Sequence, residues 1–276
     1  MKVASLLSLL ISFTLLTLIT QVGGVVLLFS ILINRGFKGR IKNALIRAVA
    51  LATLFCSIYL FSIFTIVPFI AKQFGRVPLP FNETNYLRPT TRLTFLLCRN
   101  YVKPELREIA FRVAVEMHRK FPGAKVNYLE GNFPLINRFP LFPHLSHNDG
   151  KKLDLSFYYR DKESGIETDQ VPSVVGYGIC EDPIPGEENT TEYCEQKGFW
   201  QYDLLSKIVS QGNKTKFEFD NKRTAALTNL FCEQHGIGRV FIEPHLKQRL
   251  RLISPKIKFH GCHAVRHDDH LHIQLI

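Results

Sequence analysis

Acidic side chains are missing from the first 76 residues of this 276-residue chain, although eight Lys and Arg residues occur there. The rest of the chain holds 27 basic and 24 acidic side chains, a net charge of only +3 against +11 for the whole. A nucleic-acid binder with a broad cationic face is therefore not expected. The 22 Phe, 17 Gly and 14 Pro, with ordinary charge content, also exclude collagen-like, coiled-coil and disordered classes.

Charges of either sign are missing from two long stretches, residues 3–34 and 48–71. A membrane-spanning helix needs about 20 apolar residues, so each stretch is long enough. We therefore predict a membrane anchor of two transmembrane helices in residues 1–75. A cleaved signal peptide that ends near Gly23 and Gly24 is the alternative for the first stretch, but apolar sequence continues past that point.

The segment between the two stretches, residues 35–47, carries five cations and no acid. Such a loop is typical of the cytoplasmic side of a membrane. We therefore expect both termini and the C-terminal domain on the periplasmic or extracellular side. Residues 76–104, where Pro78, Pro80 and Pro89 break the periodicity, are predicted to be a stalk or linker, and residues 105–276 the folded domain.

No two cysteines have the C-x-x-C spacing, so neither a zinc knuckle nor a thioredoxin-like site is supported. Cys56 lies in the second apolar stretch, and five cysteines follow it. Cys180–Cys194 and Cys232–Cys262 are candidate disulfides of an exported domain. Sequence leaves the connectivity open, and one of the five must be unpaired or bonded to another chain.

The soluble part is predicted to be of α+β class, with a small antiparallel sheet, flanking helices and a long acidic loop at 161–197. Apolar residues at three- and four-residue spacing predict a helix over 104–120, and alternation predicts a strand over 270–275. Further strands are expected at 125–129, 153–159 and 238–242. Further helices are expected at 200–211, 224–235 and 243–252.

Histidine placement carries the predicted chemistry, since seven of the ten histidines fall in residues 144–147 and 260–272. His147 and Asp154 are seven residues apart, and a bend at Gly150 can bring them together. His270 and His272 are two apart on a predicted strand and so share one face. Zinc hydrolases use three N or O ligands and leave one position open. Either cluster alone is more often a solvated surface or an adventitious metal binder, but together they favour a zinc site.

The pattern His-x-x-His-x-x-Gly-x-x-x-Asp followed by His-Asp-Asp-His-x-His resembles the penicillin-insensitive murein endopeptidases. These belong to a wider group of zinc peptidases that includes the lysostaphin-type enzymes and D-alanyl-D-alanine carboxypeptidases. The resemblance covers roughly residues 105–276, with close motif matching at only about 20 positions. It implies an antiparallel sheet that carries zinc in a groove.

Carried across by position, the resemblance implies zinc ligands at His147, Asp154 and His272. His270 would be the base or oxyanion stabiliser. His267 and Asp269 are further candidate catalytic groups, and Asp269 is ranked below His270 as the base. His144 and Asp268 are candidates for contacts with the substrate or with the metal ligands.

Three interpretations compete. The leading one is a membrane-anchored zinc metallopeptidase that hydrolyses amide bonds in peptidoglycan stem peptides or cross-links. The second is a non-catalytic, metal-bearing domain that binds the cell wall or has a structural role. The third places the function in the membrane helices, and the absence of carboxylates and basic side chains within both stretches argues against it.

Overall fold

The computed structural model describes residues 3–36 and 43–276, so part of the basic loop at 35–47 lies outside the described residues. The chain begins with helices α1 (Val3–Thr20), α2 (Gly23–Arg35) and α3 (Ala44–Phe61). A π-helical turn, Ser62–Ile66, joins α3 to α4 (Val67–Gln73). This joined helix, Ala44–Gln73, is the one helix within the described ranges that is long and apolar enough to cross a membrane. It contains the second predicted span, whereas two transmembrane helices are not confirmed.

The first predicted span is split in two by a tight turn at Gln21 and Val22. Gln21 has a positive φ of 66°, and the backbone N–H of Gly23 donates to Oγ1 of Thr20. A Cβ on Gly24 would lie 2.7 Å from the carbonyl oxygen of Phe13, so only glycine lets α2 fold back this closely along α1.

The hairpin also determines which end of α1 lies near the folded domain. Because α2 folds back, the start of α1 lies at the same end of the hairpin as Arg35, where the basic loop begins. Gln21, at the opposite end, accepts hydrogen bonds from the backbone of Leu135 and Ile136 in the folded domain. The N-terminal end of α1 is therefore distal to that domain.

The folded domain is of mixed α and β type, as predicted. Its elements are β1 (Val77–Pro78), β2 (Leu87–Pro89), α5 (Leu93–Leu96), β3 (Tyr101–Val102), α6 (Pro104–Lys120), β4 (Val126–Tyr128), β5 (Lys152–Ser156), β6 (Tyr159–Asp161), β7 (Glu167–Thr168), α7 (Thr190–Gln196), α8 (Leu204–Ile208), a 3-10 turn (Lys214–Lys216), β8 (Phe217–Phe219), α9 (Asn221–Glu233), β9 (Ile237–Phe241), α10 (Pro244–Arg249), β10 (Ile257–Lys258) and β11 (His270–Leu275).

The main sheet has six strands in the order β10-β9-β11-β5-β4-β2. Its central pairs, β9–β11, β11–β5 and β5–β4, are antiparallel, and the outer pairs are parallel. Smaller antiparallel sheets join β1 with β3 and β6 with β7 and β8. Alternation along β11 places Leu271 and Ile273 in the hydrophobic core with α6 and α9. The opposite face of the sheet therefore receives His270 and His272.

Several helices and strands match their predicted positions, most closely α6 and β11. The predicted helix over 200–211 is reduced to α8, and the predicted strand over 153–159 is divided between β5 and β6. The acidic loop at 161–197 contains β7 and α7.

Residues 76–104 are packed against the domain rather than extended as a stalk. Strand β2 forms one edge of the main sheet, and Arg76 is fully buried, with hydrogen bonds to the Phe133 carbonyl and the Asn137 side chain. Prolines in this segment suggested a linker, but an edge strand tolerates proline because one side needs no N–H donor.

The disulfide differs from both predicted pairs. Cys194 in α7 is bonded to Cys262, with a Cα–Cα distance of 5.3 Å across 68 residues of sequence. Cys180 and Cys232 are buried free thiols. The prediction joined Cys180 to Cys194 across a polar loop and Cys262 to a helix end at Cys232, whereas the fold brings α7 against the segment that precedes β11.

Candidate metal centre

The register of two central strands creates the candidate site. In the antiparallel pair of β5 and β11, Asp154 lies directly opposite His272, and Ser156 lies opposite His270. Side chains directly opposite each other on one face of an antiparallel pair are close neighbours. Two predicted ligands, separated by more than 100 residues of sequence, therefore meet through backbone pairing alone.

The third predicted ligand, His147, reaches the same point from the loop before β5. Its Nε2 lies 3.2 Å from Nδ1 of His272 and 3.2 Å from Oδ1 of Asp154. The remaining side of the triangle, from Nδ1 of His272 to Oδ1 of Asp154, measures 2.9 Å. All three residues are buried.

This triangle fits the ligands of a tetrahedral zinc ion. Ligands that lie 2.0–2.1 Å from zinc are separated by about 3.3 Å in a tetrahedron. Oδ1 of Asp154 is buried and has no hydrogen-bond partner among the described residues. An ionised carboxylate oxygen without a donor is costly in a protein interior, and a metal cation would satisfy it.

Neighbouring groups hold two of these ligands in the orientation that metal binding needs. Nδ1 of His147 lies 2.7 Å from the carbonyl oxygen of Gly131, so Nδ1 carries the proton and Nε2 keeps its lone pair for the metal. The Tyr177 hydroxyl donates to Oδ2 of Asp154 at 2.9 Å, which leaves Oδ1 free to face the histidines.

The charge states of these groups suit a cation. Burial alone would raise the pKa of Asp154, but the imidazoles of His147 and His270 hold it well below its usual range, so the carboxylate stays ionised. Burial lowers the pKa of His272 to about 3, so its imidazole is neutral. Burial also disfavours the protonated form of His147, but Asp154, Glu130 and the Gly131 carbonyl together raise its pKa. Metal binding would displace that proton.

His270 lies beside the triangle with its free nitrogen turned toward the site. Its Nε2 is 3.8 Å from Oδ2 of Asp154 and has no hydrogen-bond partner in the described part of the chain. Its Nδ1 is hydrogen-bonded to Asp269, whose other oxygen accepts from the backbone N–H of Gly178. Burial works against the charged imidazole, but Asp269 and Asp154 raise its pKa to about 9. Asp269 is therefore a positioning residue for His270.

His267 and His144, both predicted near the reaction, also lie in this cluster. The ring of His267 is 4.8 Å from that of His270, and burial together with the neighbouring imidazoles holds its pKa well below the usual range. Nδ1 of His144 is 2.8 Å from Oε2 of Glu130 and 3.4 Å from Oδ2 of Asp154. The structure thus brings both residues to the predicted site.

Asp268 is the exception among the predicted site residues. Its carboxylate forms an ion pair with Arg266, at 2.8 Å from Nε, and lies 3.7 Å from the imidazole of His245. The prediction assumed that β-strand alternation extends back to Asp268, but β11 begins at His270. Asp268 therefore supports the segment before the strand rather than an imidazole of the cluster.

A cavity of about 820 Å³ opens onto the histidines. Its lining includes all five histidines of the cluster, together with His260 and His263. The free Nε2 of His270 and the Nε2 of His272 are therefore at the boundary between the ligand triangle and a space large enough for a substrate.

Sequence reasoning missed Glu130 and Tyr177. Glu130 follows the strand β4, and Tyr177 lies between two glycines with positive φ, Gly176 and Gly178, in the acidic loop. A tyrosine flanked by glycines is a weak indication of a sharp turn, and neither residue has a spacing that relates it to the histidines.

No model of a known protein family matches the chain, and a search of the curated proteins also finds no match.

Proposed function

We propose that this protein is a membrane-anchored zinc metallopeptidase that hydrolyses amide bonds in peptidoglycan stem peptides or their cross-links. The observation that carries the proposal is the triangle of Nε2 of His147, Oδ1 of Asp154 and Nδ1 of His272, with sides of 2.9–3.2 Å at the edge of a cavity. Cell-wall peptide as the substrate class follows from the motif resemblance.

The metal would be held by those three residues. Zinc bound there would supply a Lewis acid for the substrate carbonyl and would lower the pKa of water to about 7. Three protein ligands of this type leave a fourth position for water or substrate, as in catalytic rather than structural zinc sites.

His270 is the residue best placed to move protons. With a pKa of about 9, the metal-free ring is protonated, but a cation held by Asp154 would offset one of the two carboxylates that raise this pKa. Nε2 would then be free to accept a proton beside the ligand triangle, while Asp269 holds Nδ1 and stabilises the positive charge that the ring acquires. The imidazolium can then donate the same proton to the leaving amine. The attacking water thus loses a proton to Nε2, the C–N bond breaks, and the amine leaves neutral.

His267 and His144 are placed to contact the substrate rather than to transfer its protons. The low pKa of His267 keeps its imidazole neutral, so it can donate an N–H to the oxygen that becomes negative as water adds to the carbonyl. Glu130 fixes one nitrogen of His144, whose Nε2 has no partner within the described ranges. Both side chains line the cavity, where a substrate carbonyl or amide would contact them.

The test combines metal analysis with digestion of purified peptidoglycan by the full-length protein in detergent. We expect one zinc ion per chain and the release of peptide fragments with new amino and carboxyl ends, both lost after chelation and restored by zinc. Bound zinc without cleavage of peptidoglycan or its isolated stem peptides would favour the non-catalytic wall-binding domain instead.

A further inference from the structure

The cavity beside the candidate metal centre has an apolar lining with few charges. Apart from imidazoles, the described residues that line it include no Lys, Arg, Asp or Glu. Its walls are formed largely by apolar side chains, namely Phe142, Leu145, Trp200, Leu204, Leu205 and Val265. A free stem peptide carries carboxylates, and this lining offers no cationic side chain with a permanent charge to bind them.

Large apolar side chains also remain exposed at the mouth of the cavity. Phe142 is 55% exposed, Leu145 52% and Trp200 69%. Clustered exposed apolar groups around a concave site mark a surface that binds an apolar ligand or a membrane. The lining of the cavity and the exposed side chains at its mouth therefore both favour an apolar ligand.

One wall of the cavity is fastened to the apolar N-terminal helices. Arg99 donates to the carbonyl oxygen of Phe142 at 3.0 Å and lies 3.5 Å from the carbonyl oxygen of Ile19, at the end of α1. In the same loop, the backbone N–H of Ile136 donates to Gln21 at the tip of the α1–α2 hairpin. The cavity is therefore adjacent to the end of the α1–α2 hairpin that contacts the folded domain.

A second, smaller cavity of about 210 Å³ extends in the same direction. It shares Pro143, His144 and Leu205 with the first cavity and is also bounded by Leu93 of α5 and by Leu97, which follows that helix. The carbonyl oxygen of Leu96 in α5 accepts a hydrogen bond from Tyr59 of the long apolar helix. The smaller cavity therefore lies between the segment that contacts the membrane-length helix and the cavity beside the histidine cluster.

We infer that the substrate is a membrane-resident amide with a long hydrocarbon chain, which lies in the apolar cavity while the amide bond reaches the histidine cluster. This inference rests on the proposed amide hydrolase and specifies its preferred substrate as a lipid-bearing amide, one with an attached hydrocarbon chain, over the same amide without such a chain. Burial of each methylene in the cavity adds favourable transfer free energy, so the chain contributes the binding that charged contacts do not.

Trp200 is the only tryptophan of the chain, and it provides a direct readout of the cavity. The experiment uses zinc-free, full-length protein in lipid nanodiscs and a short stem-type peptide whose amino end carries a dibrominated dodecanoyl chain. Bromine quenches tryptophan fluorescence on contact. We expect saturable quenching. The unbrominated dodecanoyl peptide should compete with the probe at a concentration at least about tenfold lower than the same peptide with an acetyl group in place of the dodecanoyl chain.

Two pairs of substitutions separate binding in the cavity from partition into the lipid. Leu145→Ser with Leu204→Ser should weaken quenching by about tenfold, because both side chains line the cavity and are partly exposed, so the fold tolerates the change. Ile184→Ser with Ile253→Ser is the matched control, since both positions are exposed and neither lines the cavity, and it should leave quenching unchanged.

The inference is overturned if quenching is absent or does not saturate. It is also overturned if the changes at Leu145 and Leu204 leave quenching unaffected. Cleavage assays with zinc-loaded protein keep the two proposals apart. Equal cleavage of acetyl and dodecanoyl peptides retains the peptidase and rejects the lipid-bearing substrate. Saturable quenching without cleavage of either peptide rejects the peptidase but retains the chain-binding cavity as a feature of a non-catalytic domain.

Discussion

At the scale of single residues, we expect replacement of two histidines on one strand face to have different effects on zinc content and turnover. His272→Ala removes a ligand atom and should abolish stoichiometric zinc binding and activity together. His270→Ala leaves the ligand triangle intact and should retain zinc while lowering turnover by about 10²–10⁴-fold, the usual contribution of a general acid–base group. Zinc content by atomic absorption and peptide cleavage rates measure both.

His235→Ala is the control for these variants, because that imidazole is exposed and outside the cluster. It should match the wild-type protein in both assays. Loss of zinc from His270→Ala would make this residue a ligand, and unchanged turnover would move the base to His267.

The tyrosine that contacts Asp154 gives a second prediction at this scale. Tyr177→Phe removes the hydroxyl that lies 2.9 Å from Oδ2 of Asp154. Groups that hydrogen-bond to metal ligands typically contribute about 10–100-fold in metal affinity. We expect zinc affinity to fall within that range in competition with a chromophoric chelator. Tyr193→Phe, at an exposed position, should bind zinc as the wild-type protein does.

At the scale of the elements, the start of α9 depends on one aspartate. The Asp220 side chain accepts from the backbone N–H of Arg223 at 2.9 Å and pairs with its guanidinium at 2.8 Å. Asp220→Ala should lower the free energy of unfolding by about 1–2 kcal/mol, as expected for a lost helix cap. Asp220→Asn keeps the capping oxygen and should lose less, as measured by urea unfolding in detergent.

The same aspartate gives this stability difference a defined pH dependence. Burial tends to raise the pKa of Asp220, but the hydrogen bonds and charge of Arg223 lower it below the unfolded value of about 4. The charged carboxylate therefore stabilises the fold fully above that value, and the contribution disappears as pH falls through the folded pKa. The gap between wild type and Asp220→Asn should close in acid, and a gap that widens there would contradict this assignment.

The disulfide between α7 and the segment before β11 is a further test at this scale. Peptide mapping of unreduced protein should link Cys194 to Cys262, with Cys180 and Cys232 alkylated as free thiols after unfolding. Loss of the bond in Cys194→Ser should lower the free energy of unfolding by about 2–4 kcal/mol. A Cys180–Cys194 peptide would instead restore the pairing predicted from the sequence.

The elements also show which features could be predicted from the sequence. Apolar periodicity locates α6 and β11 because each repeats its pattern over several turns or residues. The spacing of His147 and Asp154, and the face that His270 and His272 share on one strand, predicts that these side chains come together, whereas the choice of His272 as the candidate ligand depended on the motif resemblance. The hairpin at Gly23 and Gly24, the edge position of β2 and the contact of Tyr177 with Asp154 depend on long-range packing, which local pattern does not encode.

At the scale of the whole molecule, the arrangement of the helices predicts a topology. If α1 and α2 both enter the membrane beside the long helix, the N-terminus and the basic loop share the cytoplasmic side, and the folded domain lies outside. Protease added to intact spheroplasts should digest the domain and spare a tag fused before Met1. Digestion of the tag without lysis would mean that the hairpin does not insert, and protection of the domain would reverse the orientation.

The pairing of β5 with β11 makes metal occupancy a measure of correct strand alignment. A slip of one residue between these strands would turn His272 toward the hydrophobic core and present Ile273 to Asp154. Misaligned chains would then retain a sheet yet bind no zinc. For the proposed zinc site, the fraction of chains that bind zinc after refolding would therefore count molecules in the native register, which circular dichroism does not distinguish from slipped ones.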